Sequence, residues 1–220
     1  MGAAGSLARA IALAFAKAGA DVALTTATSD GDEAFALRSV ARAISDLGRR
    51  GLVEGVDMSL ATSVQITVRQ VAKALGGIDV LVAAPDFRLS RPAERLSDAD
   101  WSKLINLNLS GVFFACRSVA REMLNRNQTP ERERESGRII VVTPALPSEA
   151  SAAYRAAKAG LEGLVAALND EWASKGIGVT LVVIPDLVDE AVANRAARLV
   201  LDLASQAKPE QGGRTLRAGV

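Results

Sequence analysis

The sequence predicts a doubly wound parallel α/β fold with helices on both faces of the sheet, in three layers α/β/α. Three observations lead there. Short apolar stretches such as 21–25, 139–142 and 178–184 are continuous runs rather than alternating ones, as strands buried on both faces require. They alternate along the chain with proline-free segments whose apolar residues recur at helical period. Glycine turns such as Gly19, Gly76-Gly77 and Gly137 separate the two kinds of segment. At 220 residues, 49% of them hydrophobic and 23% charged, the chain is long enough for one buried core, and 1–220 reads as a single domain.

Composition removes several classes of function. The net charge is +1 with scattered basic residues, so neither nucleic acid nor an anionic membrane surface is expected as a partner. There is no histidine, which eliminates Ser-His-Asp and Cys-His catalysis and the usual zinc sites, and no metal is expected. Acid–base chemistry is left to Tyr, Lys, Asp and Glu. A lone Cys116 cannot make an internal disulfide, and the chain shows neither a membrane-length apolar run nor a signal peptide. A cytoplasmic protein is the expectation.

The chain opens on Gly2-Ala-Ala-Gly5-Ser6-Leu7, a small-residue turn leading into a helix from about Ser6 to Ala18. Such a turn brings backbone N–H groups and the positive helix end to a phosphate. A strand over 21–25 follows, ending in the hydroxyl-rich Thr25-Thr26-Ala27-Thr28-Ser29, which by itself reads as a polar turn. A helix over 32–47 carries Leu37, Val40, Ile44 and Leu47 on one face. A strand over 51–56 leads to Asp57-Met58, and a helix over 62–75 is closed by Gly76-Gly77. Residues 78–87 hold the next strand and its exit. Ser97 caps a long helix, with Asp100 in capping-box position; Asn106, Asn108 and Gly111 inside it are poor helix formers that need a functional or a packing reason. The polar, charge-balanced 125–136 reads as a solvated loop. Strand 178–185, helix 191–204 and a closing strand and turn over 212–219 complete the chain.

Residues 137–172 carry most of the chemistry. Ile139–Val142 is a β-branched strand, and Ser151 to Trp172 is an Ala-rich helix with Leu161, Leu164, Val165 and Leu168 on one stripe. Tyr154 and Lys158, four apart, point the same way on that helix. An ammonium beside a phenol favours the phenolate, so Lys158 would lower the pKa of Tyr154 and make it a usable acid or base.

Tyr154-x-x-x-Lys158 followed by Ala-Gly-Leu, after the strand Gly137-Arg-Ile-Ile-Val-Val, resembles the catalytic segment of the classical short-chain dehydrogenase/reductases, especially the 3-oxoacyl-acyl-carrier-protein reductases. Asn106-Leu-Asn108-Leu-Ser-Gly111-Val-Phe-Phe is similar to a second segment of that family, and the likeness extends over nearly the whole chain. It implies a Rossmann-like sheet and hydride transfer between a nicotinamide cofactor and a small carbonyl or alcohol. It assigns catalytic roles to Tyr154 (proton donor), Lys158, Asn108 (a water relay) and Thr143 (carbonyl orientation). It gives cofactor contacts to Gly2, Gly5, Ser6, Leu7, Thr26, Asp57, Met58, Ala83, Ala84, Tyr154, Lys158 and Pro185. Asp57 reads equally as a helix cap. NADP is expected rather than NAD, because no carboxylate follows strand 21–25 to repel a 2′-phosphate. A homodimer or homotetramer is implied.

The chain departs from the family pattern at several points. The last two glycines of the turn fall on Ser6 and Ala8. The usual Asn-Asn-Ala-Gly is Ala83-Ala84-Pro85-Asp86. Pro144 stands where a substrate-binding serine is usual, leaving Thr143, Ser148 or Ser151 to substitute, with Thr143 the first choice. Pro-Gly is Pro185-Asp186, and the lid segment after it is nearly absent. The turn begins at Met1, so the central first strand is expected to be missing through truncation. These departures support an alternative: a catalytically weakened member acting as a nucleotide-binding or oligomeric partner protein.

Overall fold

The computed structural model describes residues 5–26, 31–126, 137–147, 149–186, 189–206 and 213–218. The expectations for Gly2, for 27–29 and for Ser148, and most of loop 125–136, therefore lie outside the described residues.

In chain order the elements are α1 (Ser6–Lys17), β1 (Val22–Thr25), α2 (Gly31–Asp46), β2 (Gly51–Glu54), α3 (Ala61–Leu75), β3 (Val80–Ala83), α4 (Asp98–Ile105), α5 (Gly111–Arg126), β4 (Gly137–Pro144), α6 (Ala152–Trp172), β5 (Ile177–Ile184), α7 (Glu190–Ser205) and β6 (Thr215–Arg217). A π-helical turn, Asn106–Ser110, joins α4 to α5. All the strand pairs are parallel. The fold is a Rossmann-like α/β fold, and the continuous apolar runs that predict it lie in its most buried strands, with every residue of β4 buried.

Side chains alternate across the sheet. Ile139 and Val141 of β4, with Val179, Leu181 and Val183 of β5, enter a core shared with Val64 and Val68 of α3, Val112, Cys116 and Val119 of α5 and Leu161 and Val165 of α6. Ile140 and Val142, with Val182 and Ile184, enter the opposite core, against Ile11 of α1 and Ala196 and Val200 of α7. This period-two partition gives the three layers.

Among the described residues the sheet is in two parts, β1-β2 and β3-β4-β5-β6. Between β1 and β3 lies a cavity of about 410 Å³, lined by both strands and roofed on one side by Ala8, Ile11, Ala12 and Phe15 of α1. The gap falls where the family resemblance puts a central strand.

Candidate functional site

The parallel strands all deliver their C-terminal ends to one edge of the fold, where open α/β sheets hold ligands. Thr25-Thr26, Ala84–Arg88, Pro144-Ala145 and Pro185-Asp186 end or follow β1, β3, β4 and β5 there, and the N-termini of α1 and α6 lie at the same edge.

Helix α6 starts at the Ser151 N-cap, whose hydroxyl accepts from the Tyr154 N–H at 3.4 Å. Ser151 is thus engaged in capping. Tyr154 and Lys158 follow on one face, and both are buried. The Lys158 ammonium lies 5.2 Å from the centre of the Tyr154 ring and donates to the Pro85 carbonyl at 2.5 Å. The helix comes close to the π-helical turn, where a Cβ on Gly160 would stand 2.9 Å from the Leu109 side chain.

The Tyr154 hydroxyl donates to Asp86 Oδ1 at 2.6 Å, and Lys158 Nζ lies 3.8 Å from the same oxygen. Asp86 Oδ2 accepts from Arg88 Nε at 2.9 Å, while Arg88 Nη2 donates to Asp186 Oδ1 at 2.6 Å. Arg88 also lies 5.6 Å from the Tyr154 ring centre. Asp86 and Arg88, which the sequence reading gave no role, are therefore central to this site. An acidic residue three positions past the end of β3, where the family pattern has a glycine, is the signal that could find them.

The electrostatics differ from the simple Tyr–Lys expectation. Burial, then the hydrogen bond to Asp86, then the charge on Asp86 push the Tyr154 phenol well above its ordinary range. Burial pulls the Lys158 ammonium down to about 8, against the opposing attraction of Asp86. The hydrogen bond to Asp186 holds the Arg88 guanidinium well above its ordinary range. Burial and the Asp86 carboxylate thus govern the phenol.

Asn108 is buried in the π-helical turn. Its Oδ1 accepts from the Phe87 N–H at 3.1 Å, and its Nδ2 donates to the Phe87 carbonyl at 2.8 Å and the Leu104 carbonyl at 3.0 Å. The side chain thus fixes the loop that carries Pro85 and Asp86. π-Bulges are frequent at such places. Gly111 has a packing reason: a Cβ there would stand 2.6 Å from the Met58 carbonyl oxygen.

The other expected contacts distribute unevenly. Thr143 is buried in β4, its hydroxyl 3.5 Å from the Pro144 carbonyl, at the limit of a hydrogen bond. Gly5 and Ser6 are exposed at the start of α1, which has no side-chain cap, while Leu7 packs towards the core containing Ile140. Asp57 Oδ1 accepts from the backbone N–H and the hydroxyl of Ser59, so the carboxylate serves the turn before α3. Met58 and Ala83 turn their side chains into the core containing Ile139, and Ala84 packs against the opposite one. Pro185 follows β5 and leads into Asp186.

The fit of a dinucleotide is seen on the β1 side. The hydroxyls of Thr25 and Thr26 are buried at the C-terminal end of β1 with no hydrogen-bond partner among the described residues. Buried hydroxyls in that state call for a ligand's polar groups. The uncapped N-terminus of α1 offers backbone N–H groups suited to a phosphate. These groups fit the ribose and phosphates of a nucleotide. Among the described residues, no helix is long and apolar enough to cross a membrane.

Comparison with known proteins agrees with this geometry. Residues 1–198 match the family model described as short chain dehydrogenase. The chain is 34% identical over 188 residues to the D-threitol dehydrogenase of Mycolicibacterium smegmatis, covering 82% of this chain and 66% of that protein. It is 33% identical over 185 residues to the 3-oxoacyl-[acyl-carrier-protein] reductase of Escherichia coli, covering 82% of this chain and 69% of that protein. It spans about two thirds of the length of these relatives. A metagenomic short-chain oxidoreductase solved in complex with NADP superposes with a TM-score of 0.82 at 27% identity, covering 100% of this chain and 95% of that one. With its paired Tyr154 and Lys158 at the strand ends, the chain belongs to the short-chain dehydrogenase family.

Proposed function

We propose that the chain is an oxidoreductase that binds a nicotinamide dinucleotide, NADP in preference to NAD, and acts on a small carbonyl or alcohol. The observation that carries this reading is the buried Tyr154–Lys158 pair, one turn apart on α6 and facing the loop after β3. When bound, the cofactor supplies or accepts the hydride. The N-terminus of α1, from Gly5 to Leu7, would hold its phosphates, and Thr25 and Thr26 its adenosine ribose. Two neutral hydroxyls there accommodate a 2′-phosphate that a carboxylate would repel. Tyr154 exchanges a proton with the substrate oxygen. Lys158, which donates to the Pro85 carbonyl, would hold the ribose hydroxyls of the cofactor. Asn108 keeps the loop in place, and Thr143 orients the substrate carbonyl. The protein is cytoplasmic, folds as one domain and assembles as a homodimer or homotetramer.

The test is a fluorescence titration of the purified chain with NADPH and NADH, followed by a panel of carbonyls and alcohols. Tighter binding of NADPH, with turnover that disappears in Tyr154→Phe, is the expected result. Light scattering of the same sample reads the oligomeric state.

One observation favours the weakened-member reading. Arg88 ties Asp86 to Asp186 beside Tyr154, filling this edge with side chains that already satisfy one another. Binding of either cofactor without turnover on any substrate would establish that reading instead.

A further inference from the structure

Asp86 stands where the family pattern has a glycine, and it changes what Tyr154 can do. Tyr154 and Lys158 are both sealed from water, at 2% and 4% exposure. The Asp86 side chain is 36% exposed. Of these three groups, only the carboxylate reaches solvent. Its two oxygens have different partners: Oδ1 takes the Tyr154 hydroxyl at 2.6 Å and lies 3.8 Å from Lys158 Nζ, while Oδ2 is held by Arg88 at 2.9 Å. Arg88 is in turn held by Asp186. Tyr154 and Lys158 from α6, Arg88 from its own loop and Asp186 after β5 are thus the charged and titratable groups around it.

We infer that Asp86 is a positioning residue that relays protons between the Tyr154 hydroxyl and solvent. This rests on the reading of the chain as an oxidoreductase. The alcohol O–H bond breaks, and its proton passes to the Tyr154 oxygen. The Tyr154 O–H bond breaks in the same event, and that proton passes to Asp86 Oδ1, which releases it to water. The two electrons of the carbinol C–H bond leave as hydride to the oxidised nicotinamide dinucleotide. The alcohol becomes a carbonyl, and Tyr154 ends neutral, as it began. No free phenolate is formed, which suits a phenol whose ionisation is held high by burial and by the carboxylate. Reduction runs the same path backwards and needs Asp86 protonated.

The chain has a single tyrosine, so its phenolate absorbance reports Tyr154 alone. The full chain, without cofactor, is titrated with alkali while circular dichroism follows the fold. In the wild type, phenolate is expected only well above the ordinary midpoint of about 10. In Asp86→Asn and Asp86→Ala, the midpoint falls by at least about one unit. The alanine variant is included because an Asn oxygen can still accept the phenol. With cofactor bound, both variants lose oxidation at neutral pH by at least about tenfold, and reduction, which runs the same path backwards, falls by the same factor. The acidic limb of the oxidation pH profile flattens. An unchanged phenolate midpoint overturns the inference. So does a lowered midpoint accompanied by an unaltered oxidation pH profile, which marks a structural role only. If the wild type turns over no substrate, the oxidoreductase reading falls and the relay with it; the absorbance shift, which needs no cofactor, then stands as a hydrogen bond alone.

Discussion

Asn108 grips Phe87 by both ends of one peptide unit, accepting from its N–H at 3.1 Å and donating to its carbonyl at 2.8 Å. The two groups are 21 residues apart in sequence. The consequence is that a side chain in the π-helical turn sets the place of Asp86, one residue before Phe87, and through Asp86 the environment of Tyr154. Replacing Asn108 by Leu leaves the Phe87 N–H and carbonyl without these partners in a half-buried setting. A loss of about 2–4 kcal/mol in urea unfolding is expected. The phenolate midpoint of Tyr154 should fall with it, which simple destabilisation would not cause.

Two glycines in helices should respond in opposite senses to alanine. At Gly111 the added Cβ meets the Met58 backbone at 2.6 Å, which a helix cannot relieve without shifting. Gly111→Ala should cost about 2–3 kcal/mol despite the better helix propensity of alanine. At Gly163, in α6, a Cβ meets nothing within 4 Å. Gly163→Ala should stabilise by about 0.5–1 kcal/mol. Thermal or urea unfolding of the two variants decides the matter, and equal signs would contradict the packing described.

The buried ammonium of Lys158 makes stability depend on pH. In the unfolded chain it holds its proton up to about 10.5. In the folded chain it releases it near 8. Between those values the unfolded state binds more protons, so stability should rise with pH from about 8 towards 10. Above about 10 the opposite shift of Tyr154 takes over, because the unfolded phenol ionises first and stability falls. Lys158→Met removes the first limb and keeps the second. It should also be more stable than the wild type at pH 7 by about 1–2 kcal/mol, the lost bond to Pro85 offsetting part of the gain. Urea midpoints measured across this pH range check both limbs.

Cys116 is fully buried between α5 and the sheet, and burial pushes its thiol up to about 12. A thiol reagent at pH 8 should therefore leave the native protein unmodified and react promptly once urea unfolds it. Rapid native labelling would show that α5 opens far more readily than its packing implies.

The parts of this molecule written in local pattern were legible in its sequence. β4 and β5 show as β-branched runs because both faces are covered, and Ser97 shows as a cap because its hydroxyl sits three residues before the Asp100 N–H that it receives. Tyr154 and Lys158 show as a pair because helical period alone brings them together. The Asp86–Tyr154 hydrogen bond spans 68 positions and depends on where β3 ends. No periodicity encodes that. The same holds for the π-helical turn: Asn106, Asn108 and Gly111 signal an unusual helix, but its form depends on Met58 and Phe87, which come from elsewhere in the chain. Lys158 was expected to dominate the phenol because only neighbours in sequence can be weighed before the fold is known.

The cavity between β1 and β3 has a mechanical meaning. Every other junction between neighbouring strands is stitched by backbone hydrogen bonds in register, whereas this one, among the described residues, is spanned by side chains and by α1 lying across it. Helix α1 is therefore a strap over a seam. It packs against α7 and the β4–β5 core on one side and against α2 and β1 on the other. Arg50, just before β2, adds a polar tie on the same side, donating to the Ala74 and Leu75 carbonyls at the end of α3. A ligand that touched Thr25 and Thr26 on one side and Tyr154 on the other would act as a further rivet across the same seam.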